Sequence, residues 1–140
     1  MSLLDKTIPK ELWVKCEGCH EVIFKKEVDR LMGICPKCQY HFRVPAPERI
    51  LEVLDAGTFA EWDSDVQSTD SLRFRDTAPY PDRLKQAQKK TGLQEAIVTG
   101  TGTLNSRAVA IGVMDFRFMG GSMGYAVGEK VARLFDRASE

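Results

Sequence analysis

All four cysteines of this 140-residue chain fall in two Cys-x-x-Cys pairs, which are separated by the fifteen residues 20–34. A two-residue gap lets one tight turn point both sulfurs of a pair at a single ion, and zinc prefers four ligands in a tetrahedron. The distance between the pairs lies within the range typical of zinc sites. The pattern therefore predicts a closed four-thiolate site formed by Cys16, Cys19, Cys35 and Cys38.

Other uses of four thiols fit this pattern less well. A dithiol redox site needs one such pair, and disulfides are disfavoured where thiols stay reduced. Iron is the alternative metal, since four thiolates also suit iron. His20 and His41 are interpreted as surface residues, and a hydrogen bond from His20 to a sulfur is the other reading. A closed site has no position for water, so we expect one structural Zn²⁺ rather than a catalytic one.

The elements around the thiols are short and resemble strands. The segment "YHFRV" (40–44) alternates apolar and polar residues, and "EVIFKKEV" (21–28) begins with apolar residues. We expect two short ribbons held by the metal in a domain of residues 1–45. Such a module is too small for core burial to stabilise it, so metal binding contributes on the order of 10 kcal/mol to its folding.

Residues 46–92 are predicted to form a helical connector. Pro47 suits the first turn of a helix that ends near Gly57, and a polar, turn-rich stretch follows. A second helix begins near Pro81 and ends at Gly92.

Residues 93–140 change in character. Two β-rich segments joined by "NSR" predict a hairpin. Glycines inside these segments indicate bulges or close backbone approach. A glycine-rich loop, "GGSMG" (120–124), then leads into a helix with one apolar face, and such a loop exposes N–H groups that attract anions. The spacing is not that of a dinucleotide-binding fingerprint. The hairpin glycines are Gly100, Gly102 and Gly112, and the apolar helix positions are Val127, Val131, Leu134, Phe135 and Ala138.

The charge of the chain is balanced, with twenty basic and twenty acidic residues. This balance argues against a protein whose whole surface grips nucleic acid or a membrane. The start of the chain has no signal-peptide pattern and no apolar run is long enough to span a bilayer, so we expect a soluble, cytoplasmic protein with no membrane association. Residues 71–92 carry a local excess of four positive charges, which indicates either a solvated helix face or a site for a phosphorylated ligand.

Four segments together resemble one family: "LWVKCEGCHEVIF", "GICPKCQYHFRV", "YPDRLKQAQKKTG" and "DFRFMGGSMGYAVGEKVAR". The chain is similar to the β subunit of the acetyl-CoA carboxylase carboxyltransferase of bacteria and plastids. The resemblance implies an α+β fold, with a four-cysteine zinc ribbon followed by the first ββα part of a crotonase-like domain. It also implies that the four cysteines bind zinc.

In that family the β subunit pairs with an α subunit, as α2β2, and the active site lies between them. It moves a carboxyl group from carboxybiotin to acetyl-CoA, giving malonyl-CoA for fatty-acid synthesis. Carboxybiotin is a substrate carried by the biotin carboxyl carrier protein and made by biotin carboxylase. The resemblance assigns no catalytic side chain in this stretch.

The resemblance also implies a substrate-binding loop on the acyl-CoA side, and Arg83 and Lys85 are candidates to face the phosphates of coenzyme A or the α subunit. The loop residues are Gly120, Gly121, Ser122, Met123 and Gly124.

The chain departs from the family in length. Members run to roughly twice this size, in keeping with a crotonase domain of ordinary size, and residues 93–140 end inside the first helix of that domain. We expect the chain to be inactive by itself, even with an α subunit. Three other functions stay open at this point: a zinc-ribbon nucleic-acid module, an assembly element, and a carboxyltransferase for another acyl-CoA. The nucleic-acid reading is weakened by a net charge of only +2 over residues 10–49.

Overall fold

The computed structural model describes residues 12–140, which form two compact units that divide between Val44 and Pro45. The absence of a signal peptide was predicted from residues that lie mostly outside this description. Residues 46–92, predicted as a connector, pack with 93–140 in the second unit. The division into 1–45, 46–92 and 93–140 stays a prediction.

The first unit contains one two-stranded antiparallel ribbon and one short helix. Strands β1 (Trp13–Lys15) and β2 (Val22–Phe24) pair with Val14 opposite Ile23, and the first Cys-x-x-Cys turn connects them. Helix α1 (Lys25–Arg30) follows β2 directly and buries Val28.

The second predicted ribbon is reduced to a single bridge between Ile34 and His41. The chain leaves β2 as a helix, and Met32 and Gly33 then adopt left-handed conformations (φ 52° and 80°). These two residues bend the returning segment away from the extended form that a strand pair needs. The strand predicted at 40–44 was therefore wrong, because the segment forms only this one bridge.

The alternation within that segment nevertheless orients its side chains as expected. Tyr40 and Phe42 both pack against the cysteine cluster, with their rings edge to face at 5.4 Å, while His41 and Arg43 are exposed. Period-two alternation thus predicted the buried face of a segment that forms no ladder.

The second unit is built on a three-stranded antiparallel sheet in the order β3-β4-β5. Its strands are β3 (Ala60–Trp62), β4 (Ile97–Leu104) and β5 (Arg107–Met114). The β4–β5 hairpin turns through Asn105 and Ser106, which both have positive φ (50° and 63°), as a two-residue type I′ turn requires. The predicted hairpin is confirmed, and its register runs without a bulge.

The hairpin glycines allow close approach rather than bulges. A Cβ at Gly100 would lie 2.4 Å from the carbonyl oxygen of Ala60, and one at Gly102 would lie 2.6 Å from Leu54 Cδ1. A Cβ at Gly112 would meet the side chain of Leu134 at 2.9 Å. Neighbouring elements therefore pack directly against the strand backbone.

Helices cover both faces of the sheet. Helix α2 (Ala46–Val53) and Leu54 pack on the face that carries Val98, whereas α3 (Tyr80–Thr91) and α4 (Tyr125–Ser139) pack on the face that carries Ile97. Both predicted connector helices are present, and α3 ends at Gly92 with φ 74°. None of the helices described within residues 12–140 is long and apolar enough to cross a membrane.

The buried face of α4 differs from the predicted apolar stripe. Val127 is buried, but Phe135 is 70% exposed. Ala126 and Lys130 are buried beside Val127 instead. The apolar stripe is therefore only partly buried.

Two acidic side chains tie distant parts of the second unit together. Asp55 accepts hydrogen bonds from the Asn105 and Ser106 amides at 3.1 and 2.8 Å and thus holds the hairpin turn. The side chain of Asp63 is 5% exposed and pairs with Arg133 and Arg137 of α4. These contacts join the ends of α2 and β3 to the hairpin and to α4.

Candidate metal centre and glycine-rich loop

The first Cys-x-x-Cys turn is a tight knuckle. The Cys16 amide donates to the Glu21 carbonyl at 2.9 Å, and the His20 amide donates to the Cys16 carbonyl at 2.9 Å. His20 closes the turn in the left-handed conformation (φ 61°), and the Gly18 amide donates to Cys16 Sγ at 3.3 Å. This backbone fold directs both Cys16 and Cys19 toward one point.

The second turn has nearly the same backbone hydrogen bonds and conformation as the first. The Cys35 amide donates to the Tyr40 carbonyl at 2.8 Å, and the Gln39 amide donates to the Cys35 carbonyl at 3.0 Å. Gln39 has φ 63°, which matches the residue after the first pair. Two sequence-unrelated turns therefore share one geometry, because each must present two sulfurs from a Cys-x-x-Cys pair.

The four sulfurs lie where a tetrahedral ion requires them. The Sγ atoms of Cys16 and Cys38 are 3.6 Å apart and those of Cys19 and Cys35 are 3.9 Å apart, with all four within 4.8 Å of one another. A tetrahedron with metal–sulfur bonds of about 2.3 Å has sulfur–sulfur edges of about 3.8 Å. The residues thus fit a four-thiolate metal ion.

The thiols of the cluster differ in pKa. Burial raises the pKa of the Cys35 thiol, but the amides of Cys38 and Lys37 outweigh burial and lower that pKa from 9.0 to about 7. The Tyr40 amide lowers the pKa of Cys38, but desolvation and hydrogen bonds with the other thiols raise it to about 12. A cation bound by the four sulfurs would favour their thiolate forms.

The cluster is also the core of the first unit. Its buried residues are Cys16, Ile23, Val28 and Cys35, so two of the four are candidate metal ligands. His20 and His41 are exposed, and neither belongs to the group of possible ligand atoms.

The glycine-rich loop follows a short 3₁₀ turn, Met119–Gly121, in which every residue has positive φ (47°, 71° and 73°). A Cβ at Gly121 would lie 3.1 Å from the ring of Phe116, whereas the space around Gly120 is open. The sequence of left-handed residues turns the chain sharply from the end of β5 into α4.

The loop presents free backbone donors. Within residues 12–140, no acceptor takes the amide hydrogens of Ser122, Met123 or Gly124, and no side chain caps α4. These amides precede the positive end of a 15-residue helix. The arrangement suits a carboxylate, a phosphate or a developing oxyanion.

Two hydroxyl groups border this loop and were missed from the sequence. A Cβ at Gly124 would lie 3.7 Å from Ser68 Oγ and 4.0 Å from Tyr80 Oη. Both residues lie at least 40 positions before the loop, and no local pattern links them to it. The start of α3 is therefore part of the surroundings of the loop.

Asp115, just before the loop, is a second missed residue. It is 1% exposed and accepts hydrogen bonds from the amides of Ala46 and Arg117, both at 3.0 Å, and from the Arg117 guanidinium at 2.6 Å. The guanidinium of Arg117 dominates over burial and, with these amides, lowers the pKa of Asp115 to about 2. Asp115 thus joins the start of α2 to the end of β5.

The two basic candidates on α3 are not brought together. Arg83 forms an ion pair with Asp76, while Lys85 is exposed. Residues two positions apart on a helix point to different sides. A single phosphate-binding pair formed by both side chains therefore does not follow from the structure.

Comparison with known proteins places these features in a family. Residues 47–140, more than half of the chain, match the carboxyl transferase domain. The chain belongs to the carboxyl transferase domain family. Residues 13–38 match the acetyl-CoA carboxylase zinc finger domain, which contains the cysteine cluster. The family resemblance predicted from the sequence is confirmed.

Relatives of the chain carry the expected name over most of its length. It is 47% identical over 134 residues to the acetyl-coenzyme A carboxylase carboxyl transferase subunit beta of Pyropia yezoensis chloroplasts. The subunits beta of a Synechococcus species and of Desulforamulus reducens are 46% and 47% identical. These matches cover 92–96% of this chain but 44–46% of the relatives. The chain thus spans less than half the length of the curated relatives it matches.

A solved structure also resembles this chain. The transcarboxylase 12S crystal structure, a hexamer with methylmalonyl-coenzyme A and methylmalonic acid bound, matches with a TM-score of 0.50 and 26% identity. The match covers 68% of this chain and 16% of that one. The predicted α+β fold, with a zinc ribbon before the first ββα part of a crotonase-like domain, is confirmed.

Proposed function

We propose that the chain is the N-terminal part of the β subunit of an acetyl-CoA carboxylase carboxyltransferase. The whole subunit transfers a carboxyl group from carboxybiotin to acetyl-CoA and gives malonyl-CoA. The observation that carries this proposal is the order of two domains in one chain, the zinc finger at 13–38 and the carboxyl transferase domain at 47–140. Proteins that are 46–47% identical to this chain over 129–135 residues bear the name of this subunit.

The metal in this proposal is one structural Zn²⁺. The four sulfurs supply a closed tetrahedral set at the expected spacing, which leaves no position for substrate or water. The ion holds the two knuckles together and takes no part in the reaction. Iron remains the alternative metal, and metal analysis of the reduced protein distinguishes the two.

The loop at 120–124 lies on the acyl-CoA side of the active site in this proposal. Removing a proton from the acetyl methyl group places negative charge on the thioester oxygen, and backbone amides stabilise such charge without a side chain. The free amides of Ser122, Met123 and Gly124 support this role. It is consistent with the absence of an assigned catalytic side chain.

Arg83 and Lys85 take separate roles in this proposal. Lys85 is exposed and faces a phosphate of coenzyme A or the α subunit, whereas Arg83 first has to leave Asp76. Replacing either residue with alanine is expected to raise the KM for acetyl-CoA, and Lys85→Ala is expected to have the larger effect. An unchanged KM in assembled enzyme removes this part of the proposal.

The partners belong to the proposal as well. They are an α subunit in an α2β2 assembly, the biotin carboxyl carrier protein and biotin carboxylase, in the cytoplasm. The chain alone, or with an α subunit, is expected to form no malonyl-CoA. The division into residues 1–45, 46–92 and 93–140 describes a ribbon, a connector and an incomplete catalytic domain in this scheme.

A chimera tests the function. Residues 1–140 replace the corresponding half of the Desulforamulus reducens subunit beta, and the chimera is combined with the α subunit of that organism. Malonyl-CoA formation from acetyl-CoA and carboxybiotin is expected. A folded, assembled chimera without turnover overturns the proposal.

The nucleic-acid function receives less support from the structure. Lys25 and Lys37 are paired with Asp29 and Glu21, and the Tyr40 and Phe42 rings pack on the cysteine cluster. Deleting residues 1–44 from the chimera distinguishes the remaining roles of the ribbon. Lost assembly indicates a scaffold, and intact assembly with lost turnover indicates a lid.

A further inference from the structure

The first turn of α3 lies beside the glycine-rich loop. Tyr80 is the first residue of this helix, and Leu84 and Ala87 follow it on the same face, four and seven positions later. Leu84 and Ala87 belong to the apolar cluster around Phe118, which leads into the loop. Because this packing fixes the rotation of α3, it also directs the face that carries Tyr80 toward the loop.

Two hydroxyl groups lie next to the last residue of the loop. A Cβ at Gly124 would lie 3.7 Å from Ser68 Oγ and 4.0 Å from Tyr80 Oη. Within residues 12–140 neither hydroxyl takes part in a hydrogen bond, and no fully buried polar side-chain atom there lacks a partner. Both oxygens are therefore within reach of solvent or of a ligand.

Ser68 is held in place by a buried carboxylate. Glu95 is 4% exposed and accepts a hydrogen bond from the Ser68 amide at 2.6 Å. A hydrogen bond to a carboxylate is stronger than one between neutral groups. Ser68 is thus fixed through its backbone just ahead of β4, and its side chain stays available to a ligand.

The groups that meet at this point are all hydrogen-bond donors. The amides of Ser122, Met123 and Gly124 have no acceptor within the described part of the chain. The hydroxyls of Ser68 and Tyr80 can donate as well. Donors on the loop and donors on neighbouring elements together suit an oxygen atom that gains negative charge during a reaction.

We propose that Tyr80 and Ser68 are catalytic residues that donate hydrogen bonds to the thioester oxygen as it becomes an enolate oxygen. This inference rests on the proposed function, because that reaction supplies the enolate. Each hydroxyl keeps its proton and forms no covalent bond, so its contribution is electrostatic. The loop amides remain the main donors, and the two hydroxyls add to them.

Tyr80→Phe in the chimera described above tests the proposal, since it removes one oxygen atom and keeps the ring. The hydrogen bond is strongest in the transition state, so kcat is expected to fall about tenfold or more, with the KM for acetyl-CoA and the Tm unchanged. The matched control Tyr125→Phe, at a residue that is 69% exposed, is expected to change neither kcat nor KM. An unchanged kcat in Tyr80→Phe overturns the role of Tyr80, and so does a fall in kcat that comes with a lower Tm.

A pair of variants of similar shape tests Ser68 separately. Ser68→Thr keeps a hydroxyl, whereas Ser68→Val puts a methyl group in its place. We expect kcat to be about tenfold lower in Ser68→Val than in Ser68→Thr at equal Tm, and equal kcat values overturn the role of Ser68.

The unsubstituted chimera separates this inference from the proposed function. If it assembles and has no turnover, the proposed function is wrong and the inference is wrong with it. If it turns over and neither Tyr80→Phe nor Ser68→Val lowers kcat, the inference alone is wrong.

Discussion

In the first unit, two of the four buried core residues are thiols, whereas the second unit packs two apolar clusters on opposite faces of its sheet. In the proposed metal-bound form, the first unit depends on an ion that joins Cys16 and Cys19 to Cys35 and Cys38. The second unit depends on helix–sheet packing and on carboxylates such as Asp115 that join distant elements. Two parts of one chain can thus be stabilised by different kinds of interaction, so each unit can be unfolded without the other.

Metal removal is expected to have the largest effect and to act on one unit. A chelator, or Cys35→Ser, removes a contribution on the order of 10 kcal/mol to the folding of the ribbon. Each unit has one tryptophan, so Trp62→Phe leaves Trp13 to report on the ribbon and Trp13→Phe leaves Trp62 to report on the second unit. We expect the Trp13 signal alone to change. A simultaneous change in both signals contradicts the comparison.

Removing the hydrogen bonds of Asp115 is expected to destabilise the second unit. Both carboxylate oxygens accept hydrogen bonds, so Asp115→Asn turns an NH₂ group toward a donor and lowers stability by about 3 kcal/mol. Urea unfolding followed by Trp62 measures this loss. Asp65→Asn, at an exposed carboxylate, serves as the control and is expected to leave the midpoint unchanged.

The two units are expected to unfold at different pH values as the solution is acidified. The folded-state pKa of Asp115 is lowered from 3.8 to about 2, so its contribution of about 2 kcal/mol is present above pH 3.8 and is lost as pH falls toward 2. Thiolates gain protons, and release metal, at higher pH than this carboxylate does. The Trp13 transition should therefore precede the Trp62 transition as pH falls, and the reverse order contradicts this account.

Close packing of the hairpin predicts a smaller effect. Gly100→Ala places a methyl group 2.4 Å from the Ala60 carbonyl oxygen and is expected to destabilise the second unit by about 2 kcal/mol. Gly128 of α4 has no atom within 4 Å of a Cβ. Gly128→Ala is therefore expected to stabilise the same unit by about 0.5–1 kcal/mol. Opposite signs in thermal unfolding confirm the packing argument, and equal signs contradict it.

The smallest effect is expected at the surface of the ribbon. Lys25 and Asp29 are paired at 2.8 Å, but both side chains are more than half exposed. Asp29→Asn is expected to change ribbon stability by no more than about 0.5 kcal/mol at constant metal occupancy. A larger loss, measured by Trp13 fluorescence in urea, indicates that the ion does not dominate this unit.

Local patterns predicted those features that local chemistry determines. The spacing of Cys16, Cys19, Cys35 and Cys38 predicted the metal-binding group, and Gly92 predicted the end of α3. The β4–β5 hairpin was predicted because its turn and both strands are adjacent in the sequence. In each case the determining residues lie within a few tens of positions.

Features set by distant contacts could not be predicted in this way. The segment 40–44 alternates as a strand does, but its partner strand is lost because Met32 and Gly33 turn the chain. Lys130 lies on the buried face of α4, where periodicity counts only apolar residues. Ser68 and Tyr80 reach the glycine-rich loop only through tertiary packing.

The carboxylate of Asp55 has a consequence for the order in which the second unit assembles. It binds amides at the turn some 50 positions later, and the Thr103 hydroxyl as well, so closing this contact means closing a long loop. The β4–β5 hairpin needs only a two-residue turn and so forms on its own timescale of microseconds. We therefore expect the hairpin to form first and the chain ahead of it to attach to an already formed turn.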